Sequence, residues 1–90
     1  MDAEDRALAE LAKAVGHPAR AAIVRLLAGQ RECCGAIVTI LGLPQSTVSQ
    51  HLKVLKDAGL ICGEVDGARI NYCLDRDRLR RLRVLVSELG

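Results

Sequence analysis

Two groups of residues in this chain have types and spacing that could do chemistry. The first is a set of thiols. There are four cysteines, and two of them, Cys33 and Cys34, are adjacent, just after Arg31 and before Gly35. Thiolates are soft ligands that select soft metals and metalloids, and ions such as As(III) and Sb(III) take two or three of them. A vicinal pair can also close to a disulfide or carry a persulfide. The second group is a polar stripe of Gln45, Ser46, Thr47, Ser49, Gln50 and Lys53, with no carboxylate until Asp57. A solvated helix face usually mixes Glu with Lys. A face of hydroxyls, amides and one cation suits base edges and phosphates instead.

Elements must hold these groups in place. Val48, Leu52 and Leu55 have the i, i+4, i+7 spacing of a buried helical stripe, which predicts a helix from the Gly42-Leu43 turn to about Ala58, with Gly59 ending it. Pro44 has no capping oxygen, so Ser46 is an alternative cap and would start this helix later. Upstream, a helix is predicted over Asp2 to Val15 and another from Pro18 to about Ala28, with Gly29 as its cap. His17 reads as a cap or packing residue at their junction. A short helix over Cys34 to Leu41 places Cys33-Cys34 at a helix N-terminus, where the helix dipole and the nearby Arg31 favour thiolate.

Downstream, Asp66-Gly67 is a strong two-residue hairpin signal. It predicts strands Leu60 to Val65 and Ala68 to Leu74, with Val65 opposite Ala68, Glu64 opposite Arg69, Cys62 opposite Asn71 and Leu60 opposite Cys73. Ile70, Tyr72 and Leu74 then share the core face. Cys62 and Cys73 lie diagonally on one face, and Cys73, where the strand returns toward the body, is the preferred third thiol beside Cys33 and Cys34. A last helix is predicted from Arg76 to Leu89, with Leu79, Leu82, Leu85, Val86 and Leu89 as its stripe.

The fold class is therefore mainly α with a β-hairpin wing, a single winged helix-turn-helix domain over residues 1–90 in the order α-α-α-α-β-β-α. Ninety residues bury a modest core. The first and last helices carry apolar stripes that two copies could bury together, which would set two recognition helices about 34 Å apart on DNA. The balance of 13 basic and 11 acidic residues is nearly even. The segment from Pro44 to Arg83 is the more basic part, a weak electrostatic footprint. The acidic start, without a long apolar run, and the lack of any segment long enough for a membrane span point to a cytoplasmic protein with reduced thiols and no membrane partner.

The chain resembles the ArsR/SmtB family of bacterial winged-helix repressors. The resemblance rests on Gly16-His17-Pro18-Ala19-Arg20 with Ile23 and Leu26-Leu27, on Leu43 through Leu55, on Ala58-Gly59-Leu60-Ile61, and on Gly67-Ala68-Arg69 with Tyr72-Cys73-Leu74. It implies a homodimer that represses transcription from a palindromic double-stranded operator and is released by an inducer, with no obligatory cofactor. It places Ser46, Thr47, Ser49, Gln50 and His51 toward the major groove and Arg69 toward the minor groove or a phosphate. Gln45 and Lys53 extend that surface.

Arsenic-sensing relatives commonly carry Cys-x-Cys where this chain has Cys33-Cys34. Adjacent side chains on a helix diverge by about 100°, so joint chelation needs a start after them or some unwinding, which Gly35 eases. As(III), Sb(III) or another thiophilic metal or metalloid is thus one expected effector, bound by Cys33, Cys34 and Cys73. Oxidant or reactive-sulfur sensing by Cys33-Cys34 is the alternative. A Zn or Ni site on the last helix is not expected, because that helix has no His.

Bland readings stand beside these. The stripe could be a solvated face, Arg69 could simply pair with Glu64, and the arginines from Arg76 to Arg83 read as a solvated surface. A winged helix that binds only protein is a further alternative. An enzyme is not expected, since no phosphate loop or nucleophile–base set is visible.

Overall fold

The computed structural model describes residues 1–90, an elongated body of 41 × 22 × 21 Å. Its elements are α1 (Ala3–Val15), α2 (Pro18–Gly29), β1 (Glu32–Cys33), α3 (Cys34–Leu41), α4 (Gln45–Asp57), β2 (Ile61–Asp66), β3 (Arg69–Leu74) and α5 (Arg76–Ser87). All four expected helices before the hairpin are present, as is the last one. The order gains one strand, β1, which the sequence reading did not foresee.

Local chemistry explains the helix ends. Asp2 and Asp5 form a reciprocal capping box at the start of α1, each side chain accepting from the other's backbone N–H at 2.9 and 3.1 Å. Pro18 opens α2, and His17 Nδ1 accepts the Ala19 N–H at 3.0 Å. His17 is thus a cap, as expected. Asp75 caps α5 by accepting from the Arg78 N–H. α4 starts at Gln45 without a side-chain cap, so Ser46 does not play that role. Its far end closes with Gly59 at φ +79°. The Gly59 N–H donates to Lys56 O and the Leu60 N–H to Leu55 O, at 2.9 and 3.0 Å. That is the Schellman arrangement, and Leu55 and Leu60, both fully buried, supply its apolar contact.

One core runs through the body. Leu11 and Ala14 of α1, Ile23 and Leu27 of α2, Ile37 of α3, Val48, Leu52 and Leu55 of α4, the sheet base Ile61 and Leu74, and Leu82 and Leu85 of α5 are all buried. The tight turn between α3 and α4 depends on Gly42 in the left-handed region, φ +66°, which glycine adopts without steric cost.

The sheet is antiparallel in the order β1-β3-β2. The hairpin register differs from the expected one. Asp66 belongs to β2 and pairs with Arg69, so the turn residues are Gly67 and Ala68 rather than Asp66 and Gly67. No non-glycine residue has positive φ, and Gly67 takes φ +62°. A two-residue turn with positive φ only at its first central position needs glycine there, and this draws Asp66 back into the strand. The rungs become Glu64–Asn71, Gly63–Tyr72, Cys62–Cys73 and Ile61–Leu74. Glu64 therefore does not face Arg69, and Cys62 lies directly opposite Cys73 rather than diagonal to it. The core face of the hairpin also narrows toward its tip. Leu74 is buried and Tyr72 half-buried, but Ile70 is exposed.

Candidate functional site

α4 is held on one side by Val48, Leu52 and Leu55 and presents the opposite side outward. Gln45, Ser46, Ser49, Gln50 and Lys53 are exposed, while Thr47 and His51 are half-buried at the stripe's edge. Helical spacing alone produces this division. Lys53 Nζ donates to the Asp57 carboxylate at 2.8 Å one turn on. That hydrogen bond and the opposite charge raise the lysine's pKa.

Arg69 starts β3 at the tip of the wing and is exposed. It shares an open cavity of about 630 Å³ with Gln45 and Ser49 of α4 and with Cys33 and Cys34. The groove between α3, α4 and the wing is thus lined by the Cys33-Cys34 segment, part of the polar stripe and the wing arginine.

The thiols occupy the positions expected at the α3 N-terminus. Cys33 is the N-cap residue, with no side-chain capping bond, and Cys34 is the first helical residue. Their surroundings differ. Cys33 belongs to β1 and pairs with Asn71, so it shares a sheet face with Asn71 and Cys73. Cys34 packs against the hydrophobic core. Burial pushes the Tyr72 phenol up, and the neighbouring Cys34 thiol adds to the shift. Arg31, the cation expected to assist the pair, is bound instead to the Glu64 carboxylate at 2.9 Å, reaching from the β1 side to β2.

Cys73 sits one diagonal from Cys33 and directly opposite Cys62. Cys33, Cys34 and Cys73 are not gathered into a group, and no cluster of three or more His, Cys, Asp or Glu side chains is placed to hold a metal ion. A hydrogen bond with Cys73 comes first among the causes that push the Cys62 thiol up. Burial and nearby negative charge follow.

A second cluster lies at the inner edge of α4, where sequence reading placed only a groove-facing His51. The His17 and His51 rings are 4.5 Å apart, centre to centre. Arg20 Nη1 lies 3.4 Å from His51 Nδ1. Its Nε and Nη2 donate to Ala14 O at 2.6 Å and Lys13 O at 3.1 Å, which ties α2 to the end of α1. An arginine has no acceptor, so His51 Nδ1 accepts and the ring is neutral, with its proton on Nε2. Burial, then His17, then Arg20 hold the His51 pKa down. The signal available in the sequence was the pair of motifs containing Arg20 and His51, 31 positions apart, and only the packing of α2 on α4 joins them.

This architecture has counterparts. The sequence model for the bacterial regulatory proteins of the arsR family matches residues 17–62. The chain is 44% identical over 68 residues to the transcriptional repressor SmtB of Mycobacterium tuberculosis, an alignment that covers 76% of this chain and 50% of that protein. The chain thus spans about half the length of that relative. It is 39% identical over 82 residues to an uncharacterised helix-turn-helix transcriptional regulator of Methanocaldococcus jannaschii, covering 90% of this chain and 92% of that one.

Among solved structures, a possible transcriptional regulator for arsenical resistance superposes with a TM-score of 0.81 at 31% identity, covering 89% of this chain and 82% of that one. The homodimeric winged helix-turn-helix DNA-binding domain of a possible ArsR-family regulator from Mycobacterium bovis gives 0.79 at 31% identity, with 93% and 78% covered. Five helices, a three-stranded wing sheet and these matches agree: the chain belongs to the arsR family of bacterial regulatory proteins, a family of winged helix-turn-helix regulators rather than enzymes.

Proposed function

We propose that this protein is a transcriptional repressor that binds a palindromic double-stranded operator as a homodimer and leaves it when its thiols take As(III), Sb(III) or another thiophilic metal or metalloid. The observation that carries the reading is the shared groove. Cys33 and Cys34 line the same cavity as Gln45, Ser49 and Arg69. An ion held by those thiols sits against residues of α4 and the wing that face outward, and it strains the α3 N-terminus that supports α4.

Gln45, Ser46, Thr47, Ser49, Gln50, His51 and Lys53 form the major-groove surface in this reading, and Arg69 the wing contact. Cys73, diagonal to Cys33, is the third thiol that an incoming ion can recruit. Dimerisation through α1 and α5 fits the apolar side chains left exposed on α5, Val84 and Val86, and just beyond its end, Leu89. It also fits the homodimeric state of the M. bovis domain.

The test is fluorescence anisotropy of labelled upstream DNA with fully reduced protein, titrated anaerobically with arsenite. Tight binding that weakens steeply with salt and is released by stoichiometric arsenite is the expected result. The Cys33→Ser/Cys34→Ser variant should bind the same DNA and ignore arsenite. Normal release from that variant overturns the thiol assignment. Release by peroxide or persulfide but not arsenite moves the pair to oxidant or sulfur sensing. Absence of salt-dependent DNA binding makes this a protein-interaction module.

A further inference from the structure

The wing holds a second pair of thiols on the sheet face that the core does not use. Cys62 of β2 and Cys73 of β3 form one rung of the antiparallel ladder. Opposed residues in such a ladder have Cα atoms about 4.5–5.5 Å apart. Each thiol also reaches across the rung to its partner's backbone carbonyl. Cys62 Sγ lies 3.7 Å from Cys73 O, and Cys73 Sγ lies 3.8 Å from Cys62 O. Both side chains are reachable, Cys62 exposed and Cys73 half-buried, and neither is in a disulfide.

The rung is also well supported. Its neighbour on the body side is Ile61–Leu74, which is buried in the core, and its neighbour toward the tip is Gly63–Tyr72. The thiols are therefore held opposed at the base of the wing, where the sheet is anchored, and not at its free end.

We infer that Cys62 and Cys73 form a two-thiolate site for a soft, two-coordinate metal cation of the Cu(I), Ag(I) and Hg(II) class, which clips β2 to β3 at the base of the wing. Softness follows from the donors, which are sulfur alone. Coordination number follows from the surroundings. No set of three or more His, Cys, Asp or Glu side chains converges anywhere in the chain, so a tetrahedral ion such as Zn(II), which needs four ligands or three and a water, is not served. Cys33 shares the face but stands a diagonal away from Cys73, about 7–8 Å, farther than Cys62. Binding breaks two S–H bonds, forms two metal–sulfur bonds and releases two protons to solvent. It involves no oxidation.

The site shares Cys73 with the proposed arsenite site but needs neither Cys33 nor Cys34, so it can be tested without them. The full chain carrying Cys33→Ser and Cys34→Ser keeps only the wing thiols. It is titrated anaerobically with Cu(I), under a non-thiol reductant and against a chromogenic Cu(I) chelator. The expected result is one Cu(I) per chain by competition and by native mass spectrometry, with loss of that endpoint when Cys62→Ser or Cys73→Ser is added. An undiminished endpoint in either triple variant overturns the site, as does one Cu(I) bridging two chains.

Iodoacetamide footprinting gives a readout that needs no wing substitution. Cu(I) should protect Cys62 and Cys73 together. Alkylation of either at its metal-free rate contradicts the assignment. Failure here leaves arsenite release by Cys33 and Cys34 untouched, and failure of that release leaves this endpoint unchanged.

Discussion

α4 and the wing both present polar residues to the same groove, but they are anchored in different ways. α4 rests on Val48, Leu52 and Leu55, which are 0%, 2% and 0% exposed, and its end is fixed by the Gly59 turn. The wing beyond Tyr72 rests on nothing comparable, since Val65 is 80% exposed and Ile70 44%. Backbone rungs, one glycine turn and an exposed Arg31–Glu64 ion pair hold it. Exposed ion pairs contribute about 0–1 kcal/mol, whereas burying one large aliphatic side chain contributes about 1.5–3 kcal/mol. Residues on α4 are therefore placed by the core. Residues on the wing are placed by local pairings that a bound ion or a neighbouring molecule can change.

The largest test of that contrast is stability. Leu52→Ala should destabilise the protein by about 2–5 kcal/mol, because it empties a fully packed site. Val65→Ala should change stability by no more than about 0.5 kcal/mol, as exposed substitutions do. Urea midpoints measure both. A comparable loss from Val65→Ala would show that the wing is anchored after all, by packing across a dimer.

Next in size is the contrast in DNA binding that the proposed function implies. Gln50→Ala should lose about 1–3 kcal/mol at one base pair if the amide makes a bidentate contact from a fixed helix. Arg69→Ala should weaken all sequences alike and lower the slope of log affinity against log salt by about 1. Sequence-dependent loss from Arg69→Ala would assign base reading to the wing as well.

The same contrast decides what the sequence revealed. The stripe Val48, Leu52, Leu55 and the Gly59 end of α4 were legible because helical period and glycine punctuation are local signals, whereas its start stayed open between Pro44 and Ser46 because no side chain caps it. The wing was legible as a hairpin but not in its pairing. Asp66-Gly67 and Gly67-Ala68 are both two-residue turns, and moving between them keeps every side chain on its face while changing every partner. Cys62 acquired Cys73 in place of Asn71 by that step alone. β1 has only two residues and exists because the free edge of β3 accepts it, so no periodicity could have announced it. The Arg20–His51 contact and the Arg31–Glu64 pair join positions 31 and 33 apart, and depend on the packing of whole elements.

The smallest effect concerns the inner edge of α4. His51 accepts from Arg20 as a neutral ring, and its pKa lies below the usual histidine value because of burial, His17 and Arg20, in that order. In the unfolded chain the ring titrates near the usual value of about 6.5. As pH falls through that value, the unfolded state takes the proton before the native state does. Stability therefore declines on acidification. The contribution is complete above about pH 7, is lost as pH drops through the unfolded value, and levels off once native His51 protonates too.

His51→Gln removes the titrating group. Urea midpoints from pH 7.5 to 5.5 should fall more steeply for the unmodified chain than for this variant, and the gap between the two curves should narrow with acid. Parallel curves would assign the acid sensitivity elsewhere. Amide exchange sharpens the comparison further. Acidification through this window should speed exchange along α4, where Arg20 and His51 meet, and leave the Glu64–Asn71 rung of the wing at its neutral-pH protection after correction for the intrinsic rate. Equal loss in both regions would mean that the wing and α4 open as one unit, and the division between a core-anchored helix and a locally held wing would fail.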